Sequence, residues 1–147
     1  MNMPESMVAA EKLFRDYVFT KVSSNMLYAF DFTEGGDVSL NDAGALLEQD
    51  TDFWLFEWYI DEVRRAGPGR NSPRRYWGSL DVSVFTKAPP DKVKFGSQVE
   101  TVANWFQDTT IHGIRFRTFL PSPSSPLAGF TSYSGVINFD FETPPQP

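Results

Sequence analysis

The chain has 147 residues, 41% of them hydrophobic and 16% aromatic, and a net charge of −6. These bounds suit one domain with a real core and exclude general disorder. The absence of cysteine removes disulfides, thiolate nucleophiles and cysteine-based metal sites, and it is compatible with an intracellular folding compartment.

From Glu5 to about Val22, the residues Met7, Ala10, Leu13, Phe14, Tyr17, Val18 and Val22 follow the three-four spacing of an amphipathic helix. Ser23, Ser24 and Asn25 break it. Met26 to Phe32 then reads as a strand, with Leu27, Ala29 and Asp31 pointing opposite to Tyr28, Phe30 and Phe32. Glu34 to Asp52 is irregular: a Gly35-Gly36 turn and an apolar patch at Ala45, Leu46 and Leu47, good for one helical turn, predict a long surface loop. Phe53 to Glu62 is a strand with Trp54, Phe56, Trp58 and Ile60 on one face. Phe53, Leu55 and Tyr59 lie on the other, interrupted by Glu57, which predicts a central strand or one with a partner on its second side.

Val63 to Tyr76 contains Gly67-Pro68-Gly69 and Ser72-Pro73 and reads as a long hairpin connection. Gly78 to Lys87 alternates Leu80, Val82 and Val84 with Ser79, Asp81 and Ser83, the period of a half-buried strand. Ala88, Pro89 and Pro90 stop it, and Asp91 stands where a helix N-cap accepts from free first-turn amides. Phe95, Val99, Val102, Ala103 and Phe106 form one helical stripe. Two more alternating runs, Ile114 to Leu120 and Phe130 to Glu142, are joined by the polar loop PSPSSPLAG. The expected architecture is α+β: a small mixed or antiparallel β-sheet packed with an N-terminal helix and a second helix between strands. Residues 1–143 are expected to form a single domain, with 144–147 a flexible tail.

The chain offers little catalytic chemistry. His112 is the sole histidine and falls in a turn, with no second histidine or cysteine to complete a metal site or a nucleophile-base pair. The glycine clusters lack the spacing and lysine of a phosphate loop. Glu57 is the one carboxylate that interrupts an aromatic strand face, and a partly buried or rim-facing salt bridge is expected of it rather than catalysis. No catalytic residue, metal or cofactor is assigned. No apolar run reaches the roughly 20 residues of a bilayer-spanning helix. The start, MNMPESMVAAEK, lacks the pattern of a signal peptide, so a soluble, unexported protein is expected.

Charge placement is the stronger signal. Asp31 to Glu62 holds ten acidic residues (Asp31, Glu34, Asp37, Asp42, Glu48, Asp50, Asp52, Glu57, Asp61 and Glu62) and no lysine or arginine. From Arg64 to Lys94 the sign reverses, with Arg64, Arg65, Arg70, Arg74, Arg75, Lys87, Lys92 and Lys94 against Asp81 and Asp91. An acidic loop and a basic hairpin on different sides of the sheet would let copies pair head to tail and close a ring.

The order of these elements also carries a resemblance. The N-terminal helix, the tryptophan strand FWLFEWYID, then GSLDVSVFTK, APPDK, a helix ending WF, and the closing pair FRTFL and GFTSYSGVINFDFE together resemble the tail terminator, or tail completion, proteins of long-tailed bacteriophages. Nearly the whole chain takes part. The resemblance implies a small α/β sandwich whose copies form a hexameric ring at the head-proximal end of the tail tube, ending tube growth and offering a surface to the neck. It implies no catalysis. Its partners would be its own copies, the tail tube protein and a neck or head-completion protein, in the virion and, during assembly, in the host cytoplasm; no membrane and no sequence-specific nucleic acid is expected. The contact surfaces expected are Arg64, Arg65, Arg70, Arg74 and Arg75 on the hairpin, and Glu34, Asp37, Asp42, Glu48 and Asp50 on the acidic loop. Other readings are a different neck or head-completion ring protein, a ligand-binding or enzymatic domain with Trp54, Phe56, Trp58 and Tyr59 lining an aromatic pocket, and a nucleic-acid binder stacking bases on Tyr76 and Trp77.

Overall fold

The computed structural model describes residues 3–22, 26–30, 52–127 and 129–145. The elements in chain order are α1 (Met7–Lys21), β1 (Tyr28–Ala29), β2 (Phe53–Arg65), β3 (Arg74–Thr86), α2 (Lys92–Ala103), β4 (Thr110–Ile111), β5 (Ile114–Leu127) and β6 (Phe130–Thr143). The strands form one curled six-stranded sheet in the order β1-β2-β3-β6-β5-β4. Only β1 runs parallel to its neighbour. This is the α+β arrangement expected, with a mixed sheet and the second helix between strands.

Register explains which side chains meet. Trp54, Val84 and Tyr133 are cross-strand partners, as are Trp58, Leu80 and Ile137, so one face of β2, β3 and β6 is continuously apolar. Both helices cover that face. Ala10, Phe14 and Val18 of α1, with Val102, Ala103 and the following Phe106, join Phe56, Leu80, Val82, Ile137, Phe139 and Phe141 in one cluster. Phe95 and Val99 of α2 pack on Val84 and Tyr133. Trp58 stacks between Phe139, at 3.8 Å between ring centroids, and Phe14, at 4.9 Å. Each ring buried this way contributes about 1.5–3 kcal/mol of transfer free energy. Two sheet glycines make room for rings. A Cβ on Gly78 would stand 2.2 Å from the Tyr59 carbonyl oxygen and 2.4 Å from the Phe139 ring, and one on Gly135 would stand 2.2 Å from the Phe119 ring.

The helix ends follow their sequence signals. The Asp91 carboxylate accepts from the Lys94 amide at 3.0 Å, which caps α2 as expected. For α1 the cap is Ser6, accepting from Ala9 N at 3.1 Å, so the helix starts two residues inside the Glu5 boundary. The Ser23 to Asn25 break lies outside the described residues.

Two strand expectations are met in part and two need correction. The Met26 to Phe32 strand is described only as the pair Tyr28–Ala29, with Asp31 and Phe32 outside the described residues; its alternation holds, Ala29 joining Phe53 and Leu55 while Tyr28 and Phe30 pack towards the helices. The Phe53 strand lies inside the sheet between β1, which covers only its first residues, and β3, and its second face is buried where Phe53 and Leu55 meet Ala29, Phe85 and Phe130, while β3 and β6 occupy the middle of the sheet. The connection read over Val63 to Tyr76 is mostly ladder: Val63 pairs with Tyr76, Arg64 with Arg75 and Arg65 with Arg74. The loop is Ala66 to Pro73, closed by the Ala66 amide donating to the Pro73 carbonyl at 2.7 Å. The polar segment after Leu120 is also strand, because β5 continues to Leu127 beside β6, with irregularities at Phe116/Phe119 and Ser122/Ser125. Its prolines are tolerated because β4 pairs only with Ile114 and Arg115, so that among the described residues no strand continues along the far side of β5 and no N–H is needed there. The acidic loop, with its expected turn at Ala45 to Leu47, lies outside the described residues except for Asp52, which accepts from the Lys87 amide at 2.9 Å and the Thr86 hydroxyl at 3.1 Å.

Candidate functional site

The sheet face turned away from the helices carries the polar chemistry. Alternation places Glu57, Tyr59, Ser79, Asp81, Val136, Asn138 and Asp140 there, opposite to the aromatic face. At the end of β6, Asp140 sits between Phe139 and Phe141 and is almost fully buried, 1% exposed. Three guanidinium groups bury it. Arg75 Nη2 donates to Oδ2 at 2.9 Å, Arg115 donates to the same oxygen through Nε at 3.1 Å and through Nη2, and Arg117 Nη2 donates to Oδ1 at 2.9 Å. Arg75 also lies 3.7 Å from Glu142. Burial alone would raise the Asp140 pKa, but the hydrogen bonds and charges of Arg115 and then Arg117 outweigh it and hold the carboxyl below its ordinary range. Trp77 extends this patch towards the hairpin, with Arg64 at 5.8 Å and Arg75 at 5.4 Å from its ring centroid.

A second, acidic patch lies on the same face. Glu57 and Asp81 are direct cross-strand partners, and Glu57 accepts from the Tyr59 hydroxyl. Burial first, then the charges of Glu57 and Asp61, push the Asp81 pKa up. The salt bridge expected of Glu57 does not form with any described residue; its neighbour is another carboxylate.

The five hairpin arginines separate into two groups. Arg64 pairs with Glu62 at 2.6 Å and Arg75 belongs to the Asp140 cluster. Arg65, Arg70 and Arg74 are exposed and make no ion pair with a described residue. Glu34, Asp37, Asp42, Glu48 and Asp50 lie outside the described residues. Arg115, Arg117 and Asp140 were missed by sequence reasoning. Their signal is the alternation IRFR and FDFE, which puts charges on the wet face between buried phenylalanines, but only the β5–β6 register brings Arg115 opposite Asp140.

The aromatic pocket is not there. Trp54, Phe56 and Trp58 are packed under the helices and Tyr59 faces the other way. Tyr76, read as a stacking platform, is buried against Phe141 with centroids 4.9 Å apart. A cleft of about 560 Å3 lies at the sheet end, lined by Met3, Arg75, Thr110, His112, Arg115 and Glu142 among others. His112, at φ 50°, and Gly113, at φ 82°, form the tight turn between β4 and β5, so the expected turn histidine sits at the rim of this cleft. Among the described residues no group of three or more metal-ligating side chains could hold an ion, and no helix is long and apolar enough to cross a membrane.

No family model matches this chain, and no curated protein does. Several solved structures match; one of them superposes with a TM-score of 0.54 at 12% identity, covering 92% of this chain and 98% of its own. At that identity the likeness shows a shared fold alone.

Proposed function

We propose that this chain is a non-enzymatic structural subunit of a long-tailed bacteriophage, a tail-terminator-like protein whose copies form a ring on the head-proximal end of the tail tube. In this role it ends tube polymerisation and presents a surface to the neck or head-completion protein. The sequence resemblance over nearly the whole chain supports the reading, and the α+β fold is compatible with it. The observation that carries it is the β2–β3 hairpin. From Asp61 to Asn71 the chain is exposed at every position but Gly67; Arg65 and Arg70 stand there, with the exposed Arg74 opposite Arg65, and none of the three has a described counter-ion. The last rung of the ladder holds Arg65 and Arg74 in place and Arg70 lies on the short loop it closes, which suits an electrostatic contact with an acidic neighbour surface. The ring partner is a second copy, whose sequence supplies the acidic stretch Asp31 to Asp52. No cofactor takes part.

Arg70→Glu combined with Arg74→Glu tests this reading. Both side chains are exposed, so circular dichroism and the melting temperature should stay as in the parent chain. Light scattering and negative-stain images should show closed rings for the parent, and tail tubes grown in its presence should stop at a capped end. The double variant should lose both. Equal capping and ring formation by the variant would refute the electrostatic contact, and a parent chain that never binds the tube end would refute the terminator role.

A further inference from the structure

The outer sheet face holds two charged patches that the described residues do not neutralise. At one end Arg75, Arg115 and Arg117 share Asp140, with Glu142 near Arg75, and the Arg115 and Arg117 side chains remain 48% and 59% exposed. Asp140 fixes the guanidinium planes in advance, so a second carboxylate would meet oriented donors. Near the middle of the face Glu57 and Asp81 lie side by side with Asp61 nearby, and no described cation pairs with any of them. Asp81 is four residues along β3 from Trp77, the partner of Asp140, and six from Arg75. At about 3.3 Å per residue these separations are roughly 13–20 Å. They exceed the Debye length of about 8–10 Å at physiological salt, so one patch does little to compensate the other within a chain. Between the patches lie Ser79 and Asn138, directly opposite each other and small enough to allow close approach. Leu120, 55% exposed and paired with Val136, supplies an apolar contact beside the acids.

Two patches of opposite sign on either side of a neutral strip become self-complementary under a two-fold rotation about that strip. We propose that two copies of this chain pair face to face through the outer sheet surface, the Glu57–Asp81 patch of each lying on the Arg115–Arg117 patch of the other. The pairing goes beyond the ring reading and uses a different surface from Arg65, Arg70 and Arg74. It also accounts for a half-buried carboxylate, Asp81, placed among like charges: the guanidiniums of the second copy supply the missing counter-ions.

Sedimentation velocity of the full chain at about 0.1 M and about 1 M salt gives the test, because screening at the higher salt reaches about 3 Å. The test is read in the Arg70→Glu, Arg74→Glu background, where rings should not close: that chain should sediment as a pair at low salt and as a single chain at high salt. Glu57→Lys with Asp81→Lys should weaken pairing at least tenfold. Mixing that variant with Arg117→Glu should restore the pair, since each mixed contact again joins opposite charges. Leu120→Glu, which leaves the arginine cluster intact, serves should Arg117→Glu fail to fold, and it too should prevent pairing. An Arg70→Glu, Arg74→Glu chain that stays single up to about 1 mM, a concentration at which even weak association is seen, or pairing that survives both the acid-patch reversal and Leu120→Glu, would overturn the inference. The Arg70→Glu, Arg74→Glu chain separates the two proposals: it should still pair while losing rings.

Discussion

Asp140→Asn is the most informative single change. The substitution keeps the shape of the side chain and removes the charge on which Arg75, Arg115 and Arg117 converge. A hydrogen bond to a charged group is worth about 1.5–3 kcal/mol against about 0.5–1.5 for a neutral one, so a guanidinium that faces the amide oxygen loses roughly 1 kcal/mol, and one that faces the amide nitrogen, which cannot accept, loses its bond. Three such losses are reduced because the arginine side chains are 33–59% exposed and solvent screens exposed pairs. The expected destabilisation is about 2 kcal/mol, and at about 2–4 °C per kcal/mol for a chain of this size the melting point should fall by about 4–8 °C. Urea melts at several pH values give a second readout. Because the folded pKa of Asp140 lies below 3.8, its contribution is present above that value and lost as pH falls through the folded pKa. The gap between parent and variant should therefore be full at neutral pH and close in acid. A loss below about 0.5 kcal/mol, typical of ordinary surface changes, or a gap that does not change with pH, would refute the assignment of a carboxylate held ionised by arginines.

Gly78→Ala should destabilise by about 3 kcal/mol or more, the upper range for overpacking, because the new methyl meets the Tyr59 carbonyl and the Phe139 ring. Gly96→Ala on α2, where a Cβ meets nothing within 4 Å, should instead stabilise by up to about 1 kcal/mol; equal melting shifts for the two would contradict the close approach at Gly78. Asp81→Asn should be at least as stable as the parent at neutral pH in dilute protein. Burial and then Glu57 and Asp61 raise the folded pKa above 3.8, so the charged form carries a penalty above the folded pKa that is relieved as pH falls through it. Chemical melts across that range check the sign, and an advantage that grows in acid would show it to be wrong.

Local pattern carried much of the fold. The stripe Phe95, Val99, Val102, Ala103 and Phe106 is buried as its spacing requires, and the two faces of the Phe53 strand separate as alternation requires. Asp91 caps its helix because the interaction spans only three residues. The extent of pairing was not legible. Gly67-Pro68-Gly69 and Ser72-Pro73 mark a turn but cannot say how far the flanking ladder reaches, so Arg64, Arg65, Arg74 and Arg75 read as loop. Pro121, Pro123 and Pro126 argue against a strand until one knows that no strand among the described residues pairs along their far side.

The candidate site divides along the same line. Sequence alone determined that this chain has no cysteine chemistry, a single histidine, an acidic stretch followed by a basic one, and alternating runs that must present one wet sheet face. Those are properties of composition and short-range periodicity, which need no partner in space. Only the tertiary structure decided that Asp140 would lie beneath Arg75, Arg115 and Arg117, and that Glu57 would lie beside Asp81. The three arginine contacts to Asp140 join residues from 23 to 65 positions apart. Strand order and register set such contacts, and both come from packing the whole sheet against its helices rather than from any one segment.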